Sequence, residues 1–134
     1  MTQLQVCEFC AELRQTGESR FHRIYAGCLD SRVIVRSASF VVFPTIGQLF
    51  RGSVLIVPRK HTETLATLDV SRLKELEHVL SFVENKVSSM GVPFVYEHGA
   101  RLCTSSGCGV YHAHLHVLLT CPPETSPVKM SLLR

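Results

Sequence analysis

The run Tyr111-His112-Ala113-His114-Leu115-His116-Val117-Leu118-Leu119 alternates three histidines with small or apolar residues and then passes into pure aliphatics. A β-strand points successive side chains to opposite faces, so residues two apart share a face. Read as a strand, the run sets His112, His114 and His116 in one row, neighbours about 6.6 Å apart along the chain. Ala113, Leu115 and Val117 then turn into a core. A helix would splay the three rings around its circumference, which suits neither a core nor a site. Three of the chain's seven histidines lie in this row. Histidine has no special strand preference that would gather them there by default.

Around this run, length and composition set bounds. The 134 residues fit a single domain over 1–134, with a core over 7–119 and a tail over 120–134. Apolar residues make up 46% and charged residues 19%, which is ordinary for a globular chain and argues against disorder. A net charge of +3 suits an anionic small molecule and falls well short of a nucleic-acid binder's footprint, so no nucleic acid is expected as a partner. No window approaches the roughly 18 apolar residues of a membrane span. The N-terminal MTQLQVCEFCAELRQ lacks the apolar centre of a signal peptide, so a cytoplasmic chain with no membrane partner is expected. In that compartment six cysteines read as thiols or metal ligands before they read as disulfides.

Taken in order, Cys7-Glu8-Phe9-Cys10 is a C-x-x-C pair opening a predicted helix over Cys10–Gln15, closed by Gly17. Ser19 to Ala26 reads as a short strand around Phe21–Tyr25. Arg32–Arg36 and Ser39–Phe43 are β-branched or aromatic runs split by Ser-Ala-Ser, which suggests a hairpin stopped by Pro44. Ser53–Val57 is a near-continuous apolar strand, expected to be central and buried on both faces. The clear helix follows. Asp69 caps it, Leu68 and Leu73 form a staple, and Val70, Leu73, Leu76, Val79, Leu80, Val83 and Val87 fall at helical spacing up to Gly91 and Pro93. Phe94–Glu97 is another strand, and His98 to Gly109 a polar loop rich in glycine.

A nucleophilic imidazole needs an exposed nitrogen, a fixed ring and donors where negative charge accumulates. The alternating strand meets the first two needs. The loop before it, through Ser105, Ser106, Gly107 and Gly109, can meet the third by aiming backbone N–H groups and hydroxyls at a phosphate. A catalytic metal on all three histidines is disfavoured, because metal–nitrogen bonds of about 2.0–2.1 Å cannot reach three rings spread along a strand. A structural metal has better parts. Cys7 and Cys10 supply two thiolates, and His61 and His112 are the candidate imidazoles that would complete a tetrahedral shell. Two unrelated thiols beside a surface histidine remain the other reading of the same spacing.

Y-H-A-H-L-H-V-L-L resembles the H-φ-H-φ-H-φ-φ signature of the histidine-triad (HIT) family. The order C-x-x-C, then G-S-V-L-I-V-P-R-K-H, then an amphipathic helix, then the triad extends that resemblance from Cys7 to Leu119. The resemblance implies an α+β fold, an antiparallel sheet of about five strands with one main helix, commonly paired as a homodimer. It also implies a nucleotide substrate and a nucleotidyl hydrolase or transferase. His114 would attack the α-phosphorus of a nucleoside 5′-phosphate derivative (a phosphoramidate, a dinucleoside polyphosphate or a nucleotide-activated metabolite) and form a nucleotidyl-histidine. His116 would bond the phosphate, and His112 would orient the site. Zinc-bearing members would hold a structural zinc on the positions of Cys7, Cys10, His61 and His112. Two positions depart from the pattern. Thr45 stands in the substrate-binding region where many members place a ribose-binding Asp, and Cys108-Gly109 stands where the phosphoramidase branch has Gln-Ser, leaving Ser105 or Ser106 to offer a hydroxyl. Glu97-His98-Gly99 resembles a bacterial subgroup. Those departures motivate an alternative, a nucleotide-binding or scaffolding protein that keeps the fold without catalysis.

Overall fold

The computed structural model describes residues 7–26, 32–48, 50–99 and 111–120. Its elements run α1 (Glu8–Leu13), α2 (Arg20–Tyr25), β1 (Val35–Arg36), β2 (Phe40–Pro44), β3 (Val54–Pro58), a 3-10 turn (Leu65–Thr67), α3 (Val70–Val87), β4 (Val92–His98) and β5 (His114–Thr120). The five strands form one antiparallel sheet in the order β1-β2-β3-β5-β4. The α+β architecture expected from the sequence is therefore present, with α3 as its one long helix.

The sheet is covered on both faces, which explains why β3 reads as an unbroken apolar run. On one face Val42, Ile56, Ala113, Leu115 and Val117 pack against Leu76, Val79, Val83 and Val87 of α3. On the other, Val41, Phe43, Leu55 and Val57 pack against Phe9 of α1. Every residue of β3 is buried. Asp69 caps α3 as expected, its carboxylate accepting the Arg72 N–H at 2.9 Å. The apolar stripe is narrower than the spacing suggested. Val70 and Leu73 are exposed, so Leu73 forms no staple, while Leu68 packs against the core. Within α3, burial begins at Leu76.

Two expectations for the N-terminal segment need correction. The helix predicted over Cys10–Gln15 lies at Glu8–Leu13, with Cys7 as its cap and the Cys7 sulfur accepting the Cys10 N–H at 3.5 Å. That capping places both thiols at the same end of the helix. The strand predicted around Phe21–Tyr25 is the helix α2. Ser19 accepts the His22 N–H at 3.1 Å, and the Glu8 carboxylate accepts the Arg20 N–H at 2.7 Å. The first of these caps is local, but the second comes from α1, where no window of local sequence could reveal it.

A buried ion pair fixes α1 to the sheet. Arg32 bonds Glu12 of α1, and both side chains are almost wholly inaccessible, at 6% and 5%. Its guanidinium also donates to the Pro44 carbonyl, at 3.1 and 2.7 Å, and lies against the rings of Phe21 and Phe43. Removing one partner of such a pair strands a charge in a dry site, whereas replacing both with apolar groups does not. Glu12→Ala should cost about 3–5 kcal/mol in urea unfolding, and the double change Glu12→Leu/Arg32→Met should recover most of it. A Glu12→Ala cost under about 1 kcal/mol would mean that the pair does not anchor α1.

Candidate functional site

Backbone pairing decides where the histidines go. His116 stands opposite Leu55 of β3 and Tyr96 of β4, and His114 opposite His98. Their side chains lie on the sheet face that α1 covers, so the histidine row is not a solvated face. Phe9 packs edge-on to His112 and His114, with ring centroids 5.7 and 5.0 Å away. Nor do the three rings form one even row. His112 precedes β5 and turns away toward the cysteines, while His114 and His116 converge, Nε2 to Nε2, at 3.1 Å.

Hydrogen bonds to carbonyl oxygens set each tautomer, because a carbonyl can only accept. The Nδ1–H of His114 donates to the His112 carbonyl at 2.7 Å, leaving Nε2 with its lone pair. The 3.1 Å contact then has His116 Nε2–H donating to that lone pair. Burial is the main force holding the His114 imidazole at about 4, with the charges of His116 and His98 adding to it against the pull of the His112 carbonyl. Burial and His98 likewise lower His116. Both rings are thus kept neutral near pH 7, the form in which an imidazole is a nucleophile.

His114 and His116 stand on the wall of a cavity of about 490 Å³, a size usual for small-molecule sites. From the β2–β3 side it is walled by Ile46, Phe50 and Leu55, with Phe21 of α2 above, and from the β4 side by Tyr96 and His98. Thr45 also lines it, its hydroxyl 3.4 Å from the Ser53 carbonyl. Ser105, Ser106, Gly107 and Gly109, expected to cradle a phosphate, lie outside the described residues, as do Cys28, Cys103, Cys108 and Cys121. Sequence reasoning missed Phe9, Glu12, Arg32, Tyr96 and His98. For His98 and Tyr96 a signal existed, since β4 alternates in the same period as the triad run.

A second constellation lies behind the triad. The Nε2–H of His112 donates to the Pro58 carbonyl at 2.8 Å, so its Nδ1 faces Cys7 Sγ at 3.5 Å and Cys10 Sγ at 3.6 Å. His61 Nδ1 is 3.4 Å from Cys10 Sγ. All four ligand atoms of Cys7, Cys10, His61 and His112 lie within 4.8 Å of one another. A tetrahedral shell with metal–sulfur bonds near 2.3 Å and metal–nitrogen bonds near 2.0 Å needs ligand separations of about 3.3–3.8 Å. The sulfur–nitrogen contacts, 3.4 to 3.6 Å, fall in that band, so the group can hold a metal ion. Burial, with Cys7 beside it, pushes the Cys10 thiol up to about 11. Two adjacent thiolates would need a cation between them. Burial also brings His112 down to about 4, and neutral imidazole is the ligating form.

The family model described as scavenger mRNA decapping enzyme C-term binding, a histidine-triad-like family, matches residues 18–128. The chain belongs to the histidine-triad family. Solved members of similar shape include a HIT family protein from Bacillus anthracis, 17% identical, covering 88% of this chain and 75% of that one at a TM-score of 0.66. A hypothetical histidine triad nucleotide-binding protein from Sulfolobus tokodaii is 20% identical, with 86% and 69% coverage and a TM-score of 0.62. A HIT family hydrolase from Legionella pneumophila is 20% identical, with 90% and 97% coverage and a TM-score of 0.58. At these identities the likeness to the three is one of fold. Among the described residues of this histidine-triad protein, no helix is long and apolar enough to cross a membrane.

The state of His114 has a consequence for stability. A histidine whose folded value lies below its unfolded one destabilises the fold as pH drops from about 6.5 toward about 4, because the unfolded chain binds the proton first. Between pH 7 and pH 5, wild type should lose roughly 1–2 kcal/mol more stability than His114→Asn, read from urea midpoints. Equal losses would mean that the ring is not held neutral.

Proposed function

We propose that this histidine-triad protein is a nucleotidyl hydrolase or transferase in which His114 attacks the α-phosphorus of a nucleoside 5′-phosphate derivative. The observation that carries the reading is the unprotonated Nε2 of His114 on a cavity wall, its tautomer fixed by the His112 carbonyl. Attack makes the ring cationic, and the Nδ1–H bond to that carbonyl strengthens as charge develops. Substrate must first displace the Nε2–H of His116 from the lone pair. That donor then swings to a phosphate oxygen, so the group that masks the nucleophile at rest serves the phosphoryl group afterwards. Water or another acceptor completes the transfer by breaking the phosphorus–nitrogen bond.

The mildly basic chain suits an anionic substrate, and the apolar side of the cavity at Phe21, Ile46 and Leu55 suits a nucleoside. Within it Thr45 is proposed as a ribose contact, and Ser105, Ser106, Gly107 and Gly109 as phosphate contacts. His112 orients the site by offering its carbonyl to His114 and its ring to the cysteines. The ion proposed for Cys7, Cys10, His61 and His112 is zinc, which favours two thiolates and two imidazoles in a tetrahedron. Bound there, zinc would brace His112 and α1 rather than take part in phosphoryl transfer. A homodimer is also proposed. β4 is a sheet edge, and its Val92 and Phe94 are more than half exposed, a row that a second β4 can cover about a two-fold axis.

Mixing the protein with nucleoside 5′-phosphoramidates, dinucleoside polyphosphates and nucleotide-activated metabolites, then quenching in alkali, should trap an intact mass raised by one nucleotide. His114→Asn should abolish the adduct and lower turnover by at least about 10³-fold. Binding without turnover across the panel would favour a non-catalytic nucleotide binder instead. Native mass spectrometry of protein purified without added metal should show two chains and two zinc ions. Cys7→Ser/Cys10→Ser should lose the metal and Phe94→Glu the pairing; a metal-free wild-type monomer would remove both proposals.

A further inference from the structure

The cavity is not apolar throughout on its β2 side. Glu12 of α1 and Arg32 line it together, and both side chains are more than nine-tenths buried. Nε and Nη2 of Arg32 donate to the carbonyl of Pro44, the residue before Thr45, and Nη1 donates to Oε1 of Glu12. A line of ring contacts leads from this pair to the triad. The Arg32 guanidinium lies over Phe43 at 4.2 Å, Phe43 meets Phe9 at 5.7 Å, and Phe9 meets His114 at 5.0 Å. The ion pair is thus separated from the candidate nucleophile by Phe43 and Phe9, next to the proposed ribose contact and away from β4.

We propose that Glu12, held by Arg32, reads the base of the nucleotide and selects guanine. The inference rests on the proposed placement of a nucleoside in this cavity with its phosphate at His114. Stability alone does not account for the pair, because apolar groups of similar volume commonly replace a buried ion pair with no loss. What the pair supplies to the cavity is a fixed polar pattern. A carboxylate only accepts hydrogen bonds, and a guanidinium only donates them. Arg32 holds Glu12 through one oxygen, and a carboxylate has acceptor sites on both.

Guanine carries two neighbouring donors, N1–H and N2–H, beside its O6 acceptor. Carboxylate and guanidinium meet that edge in matching order, acceptor to donors and donor to acceptor. Hypoxanthine keeps N1–H and O6 but lacks the 2-amino donor. Adenine presents its 6-amino donor beside an N1 that can only accept. Either base leaves the carboxylate short of a donor in a dry site, where an unmade bond to a charged group is costly.

The test is calorimetric binding of guanosine, inosine and adenosine 5′-monophosphates, which needs no chemistry at His114. The guanosine nucleotide should bind wild type about 10- to 100-fold more tightly than either of the others. In Glu12→Gln, and in the double change Glu12→Leu/Arg32→Met, that preference should shrink to about threefold or less. Damage to the fold would weaken all three nucleotides together and leave the ratio where it was. A readout that needs no variant is a nuclear Overhauser effect in wild type from the N1 imino proton of bound ¹⁵N-labelled guanosine 5′-monophosphate to the Glu12 side chain. Equal binding of the three, a preference for adenosine, a ratio that both variants leave unchanged, or no such effect at saturation overturns the role of Glu12, whether or not the His114 adduct forms. Failure of wild type to bind any of the three overturns the nucleoside placement on which the base reading stands.

Discussion

One hydrogen bond, from the His112 ring to the carbonyl at the end of β3, determines which way the centre of this molecule faces. Because Nε2 of His112 is spent on Pro58, Nδ1 is left for Cys7 and Cys10. Its backbone carbonyl, in turn, accepts the Nδ1–H of His114. A single residue therefore joins the thiol pair to the candidate nucleophile through two different groups. Reversing its tautomer would present an N–H to the thiols and lose the Pro58 bond together.

The sheet makes this arrangement possible. β5 runs between β3 and β4, so its odd-numbered side chains feed the core under α3 while its even-numbered ones meet rings from β4 and the apolar wall from β3. The two faces have opposite jobs, and the strict alternation of the triad run is the physical reason one strand can serve both. Val117 and His116 are neighbours in the chain, yet one is fully buried in the core and the other lines a cavity.

That alternation is also why so much could be read beforehand. β3, α3 and β5 each carry a period that one window of sequence displays, and the four metal-ligating candidates come together as expected. The failures share another cause. α2 reads as a strand in the sequence because its first N–H groups are satisfied partly by Glu8, twelve residues away from Arg20. Val70 and Leu73 fit the helical stripe but are left exposed, a fact of placement rather than of pattern. Burial of the triad could not be foreseen either, since Phe9 reaches His114 only after α1 has docked. The Glu12–Arg32 pair has no signature in the sequence, because pairing across such a separation leaves no periodic trace.

The brevity of α1 carries a wider consequence. Six residues are too few for a helix to persist on its own hydrogen bonds. Its seat on the sheet is borrowed from Phe9, from the Glu12–Arg32 pair and from the thiols at its start. Whatever occupies the hollow beside Phe9, and whatever ties the thiols to the imidazoles, press on the same small lever. If both favour the docked helix, thermodynamic reciprocity makes each raise the equilibrium affinity of the other by the same factor.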